Sequence, residues 1–261
     1  MSTLNATTRF SNRVGNYIRY RPRYPEEVIR ILRTEFGMTA DSVIADIGSG
    51  TGISSELFLR NGNTVFGVEP NTQMREAAEE LLQSHPRFFS IAGSAEETTL
   101  EGESVHFVVA GQAFHWFDQQ RAGREFARIL KPEGRVILMW NDRQVDTTPF
   151  LQQYEELLKK YGTDYQQVDH KRIDGEVLGR FFASGEYVER TLPNEQRFDY
   201  EGLEGRLLSS SYTPSEGEPG YQAMLSALRQ IFERYQVSGG VRFLYDTRLF
   251  IGRITPLRHN I

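Results

Sequence analysis

The ten residues Val43-Ile44-Ala45-Asp46-Ile47-Gly48-Ser49-Gly50-Thr51-Gly52 constrain this chain more than any other stretch. A short run of β-branched and small apolar residues suits a strand buried on both faces of a parallel sheet. Glycine at positions 48, 50 and 52 then permits a sharp turn and lets a ligand approach the backbone without meeting a Cβ. The residues that follow read as a helix. Such a strand, turn and helix open an α/β sheet, with a nucleotide-like ligand expected at the turn. The same glycines would also serve a plain tight βα turn, so the turn alone leaves both readings open.

The rhythm that follows is that of stacked βα units. Strands are expected at 43–47, 64–68, 88–92, 104–110 and 134–140. Met74, Ala77, Ala78, Leu81 and Leu82 recur at helical spacing behind a cap at Asn71, and should pack on the sheet. A further helix over 118–130 stops before Pro132 and Gly134. Beyond Asn141 the alternation breaks. Phe150, Tyr154, Leu157, Leu158 and Tyr161 mark one helix and 221–235 another, while strands around 187–200 and 241–254 are expected to close the sheet with an antiparallel edge. Tyr154, Tyr161, Phe181 and Phe182 are expected to bury against one another.

With 261 residues, one α/β domain with an elaboration is the expected organisation. Its parts are a lid and first helix over 1–41, a ligand-binding core over 42–141, a partly helical cap with strand 6 over 142–240, and a final strand over 241–261. No apolar run has the length of a membrane span, and residues 1–11 lack the apolar centre of a secretory signal, so a cytoplasmic location and no membrane partner are expected. The chain has no cysteine, which excludes thiolate nucleophiles and cysteine-ligated zinc, and no metal is expected. A net charge of -5 disfavours nucleic acid as a partner, with Arg13, Arg19, Arg21 and Arg23 a local basic patch at most.

Two acids narrow the ligand. Asp46 lies just before the glycines, and Glu69 ends the second strand, where a carboxylate can accept both hydroxyls of a ribose. The dinucleotide spacing Gly-x-Gly-x-x-Gly would require glycine at Ile53, and neither a phosphate-loop lysine nor Gly-Lys-Ser/Thr is present.

The stretch from Asp46 to Gly52 resembles motif I of class I S-adenosylmethionine methyltransferases, and Glu69 matches that family's ribose-binding acid. Gly93-Ser94-Ala95-Glu96 is similar to the family's adenine-flanking segment, with Ser94 where aspartate is commoner. Leu130-Lys131-Pro132-Glu133-Gly134 resembles the family's turn before strand five. More narrowly, Tyr17-Ile18-Arg19-Tyr20-Arg21-Pro22-Arg23-Tyr24-Pro25, Gln112-Ala113-Phe114-His115-Trp116-Phe117 and Tyr245-Asp246-Thr247-Arg248 resemble the methyltransferase type 11 subgroup that includes trans-aconitate methyltransferase-like proteins.

The resemblance implies a Rossmann-like, seven-stranded, mostly parallel sheet with flanking helices and a partly helical cap inserted late in the chain. It implies S-adenosyl-L-methionine as cofactor and a small-molecule acceptor, with a carboxylate oxygen as the subgroup's kind of acceptor. Gly48, Ser49 and Gly50 would meet the methionine portion, Glu69 the ribose, and Ser94 and Ala95 the adenine. Asp46 would steady the loop or reach the cofactor ammonium through water. Gln112 would line the cofactor pocket. Tyr20 and Arg21, with Tyr17 and Tyr24, form a lid over the cofactor or else an aromatic staple onto the core.

His115, just past strand four, is the candidate proton acceptor, and between Phe114 and Trp116 it also reads as a packing residue. Trp116 and Arg143 are the candidate substrate contacts. The Asn/Asp-Pro-Pro-Tyr/Phe signature of amino-directed nucleic-acid methyltransferases is replaced by Gly111-Gln112-Ala113-Phe114. An NAD-dependent oxidoreductase and a non-catalytic S-adenosylmethionine-binding protein are the alternatives.

Overall fold

The computed structural model describes residues 15, 19–163, 165, 175–210 and 212–254. Tyr17 and Arg13 lie outside the described residues. Seven strands form one sheet in the order β3-β2-β1-β4-β5-β7-β6. They are β1 Val43–Ile47, β2 Thr64–Val68, β3 Phe88–Ile91, β4 Val105–Gly111, β5 Leu130–Arg143, β6 Tyr187–Phe198 and β7 Val241–Gly252. β1 pairs in parallel with β2 and with β4, β2 with β3, and β4 with β5. The chain therefore runs outward from β1 to β3 and then restarts at β4 on the other side of β1. That reversal opens a crevice beyond the carboxyl ends of β1 and β4, where ligands of open α/β sheets bind.

The helices are α1 Glu27–Phe36, α2 Ile53–Arg60, α3 Thr72–Leu82, α4 Gln119–Ile129, α5 Pro149–Tyr161, α6 Gly175–Phe181, α7 Tyr200–Leu208 and α8 Tyr221–Tyr235. Their starts follow from local chemistry. Asn71, Asp118, Thr148 and Asp199 each accept a backbone N–H from the first turn of the helix they precede, satisfying a donor that has no intrahelical partner. The helix expected over 118–130 is thus Gln119–Ile129, capped by Asp118. The turn through Pro132 is not a clean break, because β5 already begins at Leu130 and its pairing to β4 shifts register between Val105 and Phe107. On α3, Met74, Ala78 and Leu82 are buried, but Leu81 is 45% exposed; the expected apolar stripe is one residue narrower.

Contacts group the chain into two compact units, 1–22 with 142–172 and 193–246, and 23–141 with 173–192 and 247–261. The second unit has a core on each face of its strands. Ala45, Ile47, Val68, Val108 and Val136 belong to one core with Ala122 and Phe126 of α4 and Phe181 of α6. Ile44, Val65, Val109 and Ile137 belong to the other with Leu32 of α1 and Phe58 of α2. Successive strand residues thus feed opposite faces, and each fully buried Ile, Leu or Phe contributes about 1.5–3 kcal/mol.

The first unit has its own core, in which Tyr154, Leu158, Leu207, Leu228 and Phe243 bring together α5, α7, α8 and β7. Residues 173–192, inside the stretch expected as a cap, group with the second unit instead. The aromatic residues expected to bury together are accordingly divided. Tyr154 packs on Phe150 and Phe243, with Tyr161 against the same core, whereas Phe181 and Phe182 pack with Phe114, Phe126 and Tyr187. Their shared sequence neighbourhood does not survive because the chain passes between units after the residues around 172 and again after Leu192.

Candidate active site

The turn after β1 is stitched to the end of β2: the Gly48 and Ser49 N–H groups both donate to the Val68 carbonyl, at 2.8 and 3.2 Å. Gly48 has φ +67°, and a Cβ there would stand 2.7 Å from Ala113 Cβ. Gly50 has φ +56°, yet no atom lies within 4 Å of where its Cβ would be. Glycine at 48 is thus required by backbone and neighbour alike. At 50 only the backbone requires it, and beside it is room for a ligand to touch the main chain.

Glu69, immediately after β2, is bound from both sides. Its Oε2 accepts the Gly50 N–H at 3.0 Å and its Oε1 accepts the Asn71 N–H at 2.9 Å, while Arg75 Nη1 donates to its carbonyl at 2.9 Å. Burial pushes the Glu69 carboxyl pKa up, and the N–H bonds from Asn71 and Gly50 draw it back. Each oxygen still has lone-pair capacity after accepting one N–H, so the carboxylate is fixed in direction and can accept a vicinal diol.

Asp46, within β1, is fully buried. Its Oδ2 accepts the hydroxyls of Ser54 and Ser55 at 2.7 and 2.6 Å, which ties the strand to the first turn of α2. Its Oδ1 is buried with no hydrogen-bond partner among the described residues. Burial raises its pKa to about 6 against the pull of the two serines. Such an unmatched acceptor is costly unless a cation or donor reaches it.

Ser94 forms a small turn: its Oγ accepts the Glu96 N–H at 3.2 Å and its N–H donates to the Glu97 carbonyl at 3.0 Å. Ala95 is buried in the core of Ile47 and Val68. At the end of β4, Gln112 adopts φ +57°, a conformation uncommon for a side-chain-bearing residue. It is held there by its N–H on the Met139 carbonyl at 2.9 Å and its Nε2 on the Asn141 carbonyl at 3.2 Å. Strain of this kind persists where the surroundings over-determine it, and it collects at functional sites. Asn141 itself accepts the Thr247 hydroxyl at 2.5 Å.

Residues Phe114–Trp116 form a single 3-10 turn that buries Phe114 against Phe181 and leaves His115 and Trp116 half-buried, their rings 4.8 Å apart. Tyr24 is buried, and its hydroxyl lies 2.8 Å from where a Cβ on Gly111 would be. Sequence reasoning gave no role to Ser54, Ser55 or Asn141. The serines carried a signal, since they stand on the first turn of the helix after the glycines, within reach of Asp46.

Three residues expected near the ligand belong to the first unit. The Tyr20 ring lies directly on Gly205, leaving no room for a Cβ there, and Arg21 Nη2 donates to the Ser209 carbonyl at 3.0 Å. Arg143 is ion-paired with Glu155 and donates to the Tyr165 hydroxyl at 3.1 Å. Arg143 was expected as a substrate contact; it is engaged by this internal pair.

Residues 45–138, which contain the glycine turn, Glu69, Ser94 and His115, match the model of a methyltransferase domain. An uncharacterised methyltransferase-like protein of Schizosaccharomyces pombe is 27% identical over 253 residues, 95% of this chain and 96% of its own length. An uncharacterised methyltransferase of Mycobacterium tuberculosis is 38% identical over 134 residues, so this chain spans 52% of that relative. The chain is an S-adenosylmethionine-dependent methyltransferase.

The methyltransferase has the class I fold. A type II methyltransferase candidate from Anaeromyxobacter dehalogenans superposes with a TM-score of 0.67 over 91% of this chain and 99% of that one, at 23% identity, a likeness of fold. The donor set suits the cofactor: a fixed carboxylate at Glu69 for a diol, open main chain at Gly50, and the unmatched Asp46 oxygen for a cationic group.

Proposed function

We propose that this methyltransferase transfers the methyl group to a small-molecule acceptor, with a carboxylate oxygen as the acceptor atom. The cofactor, when bound, supplies an already activated methyl group on a sulfonium. The chain is then required to bind, orient and exclude water rather than to furnish a nucleophile. Glu69 accepts the ribose hydroxyls, and Gly48, Ser49 and Gly50 form the floor for the methionine portion. Asp46 holds the loop through Ser54 and Ser55 and offers its remaining oxygen to the ammonium group. Ser94 and Ala95 flank the adenine.

Gln112, fixed on the β5 carbonyls, shapes the wall of the crevice. Trp116 lines the acceptor side, and His115 takes up a proton where the acceptor carries one. An acceptor that is already a carboxylate releases no proton, so in that case His115 contributes position alone. The protein works without nucleic acid, metal or membrane, in the cytoplasm.

The observation that carries the cofactor assignment is the Glu69 carboxylate held by the Gly50 and Asn71 N–H groups beside the open face of Gly50. The test is a screen for S-adenosylhomocysteine formation with small carboxylic acids, alcohols and amines as acceptors. Turnover with acids and none with their esters supports the carboxylate reading. Turnover with amines alone contradicts it.

A further inference from the structure

The first unit contains a buried cation with no acid beside it among the described residues. Arg206, on α7, is 5% exposed. Its Nε donates to the Tyr245 hydroxyl at 3.3 Å, and its Nη1 donates to Ser210 Oγ at 3.2 Å and Ser209 Oγ at 3.5 Å. The guanidinium also lies 6.0 Å from the centre of the Phe243 ring. All of these partners are neutral, and no carboxylate pairs with Arg206 among the described residues. Arg143 of the same unit, with its side chain 10% exposed, shows the ordinary solution, an ion pair with the buried Glu155.

The surroundings are built for an anion rather than for packing. Tyr154 packs on the same Phe243 ring, with centroids 4.8 Å apart, is 1% exposed, and donates its hydroxyl to no described residue. Tyr245 is spent: its hydroxyl donates to Gln196 Oε1 at 2.9 Å and accepts from Arg206. One guanidinium nitrogen, Nη2, and one phenol, Tyr154, are therefore left as donors. Leaving a charge buried without a counter-charge is strongly unfavourable, and replacing it by an apolar side chain of similar size is commonly neutral or stabilising. A fold retains such a cation at a cost, and a ligand anion is what offsets it.

We infer that Arg206 and Tyr154 form a binding site for one carboxylate group of a small molecule, walled by Phe243. Charge selects the class. With Arg143 neutralised by Glu155, the net charge of the cluster is that of Arg206 alone, which matches a monoanionic carboxylate and falls short of a dianionic phosphate. The planar guanidinium also suits the planar carboxylate. Two donors on one carboxylate restrain its oxygens, so this is an anchoring group. The inference rests on the reading that the acceptor is a small acid.

The test uses the full chain and its Arg206→Met and Tyr154→Phe variants, with melting temperature followed against succinate, citrate, their methyl esters and inorganic phosphate. The wild-type melting temperature rises with the free acids and not with the esters. Arg206→Met melts no lower than wild type without ligand, loses at least tenfold in acid affinity, and binds S-adenosylhomocysteine as wild type does. Tyr154→Phe weakens the acids by a smaller factor.

An Arg206→Met protein that melts well below wild type and keeps the wild-type response to acids would make Arg206 structural and overturn the site. Phosphate stabilising more than the acids, or no acid response in wild type, would overturn it as well. Loss of S-adenosylhomocysteine binding by all proteins with the acid response intact would instead overturn the cofactor assignment and leave this site standing.

Discussion

Glu69 Oε2 accepts the Gly50 N–H at 3.0 Å, so the acid that ends β2 and the glycine that turns the chain out of β1 are one unit. The bond sets the direction of the carboxylate and fixes the peptide beside which a ligand must lie. It also separates two glycines that look alike in the sequence. Gly50→Val meets a positive φ but no neighbouring atom, so it should cost about 1–3 kcal/mol of stability. Its affinity for S-adenosylhomocysteine should fall at least tenfold. Gly48→Ala meets Ala113 as well and should lose stability first. Calorimetric binding and thermal unfolding on both variants check this; normal binding by Gly50→Val contradicts it.

Asp46 should make stability depend on pH. Its pKa in the folded protein is about 6, above the ordinary aspartate value, because burial opposes its charge. Between about pH 4 and 6 the folded chain therefore keeps a proton that the unfolded chain releases, and stability falls as pH rises through that window. The loss is on the order of 2–3 kcal/mol. Asp46→Asn should remove this slope, so its stability relative to wild type should improve from pH 4 to pH 7. A constant difference between the two across that range would contradict it.

Arg143 and Glu155 should behave oppositely to Arg206. Glu155→Gln leaves a buried guanidinium without its partner and should destabilise the protein by about 3–5 kcal/mol. Urea unfolding measures it. A loss below about 1 kcal/mol would mean that the pair is worth no more than a surface ion pair.

The sheet was largely legible because its signals are local. Val43–Ile47, Thr64–Val68 and Val241–Gly252 appear as apolar or alternating runs, and Asn71 caps α3 as its position before the periodic residues suggested. The glycine turn and Glu69 were legible for the same reason, since a backbone requirement and a strand-end acid both show in the residue types. What was not legible depends on contacts distant in sequence. Phe181 and Phe182 join the core of Phe114 and Phe126, although they sit within the segment that resembled a cap. Arg143 finds Glu155, and Arg206 finds Tyr245, through packing that no periodicity encodes. Leu81 is exposed because the stripe that α3 buries is narrower than its run of apolar residues.

Calorimetric titration of wild type and Glu69→Ala with S-adenosylhomocysteine and, separately, with NAD decides whether Glu69 holds the ribose of S-adenosylmethionine. Wild type should bind S-adenosylhomocysteine at micromolar concentration and NAD not at all, and Glu69→Ala should lose about 1.5–3 kcal/mol of that binding with its fold intact. Binding of NAD alone, or equal S-adenosylhomocysteine affinity in the two proteins, would contradict it.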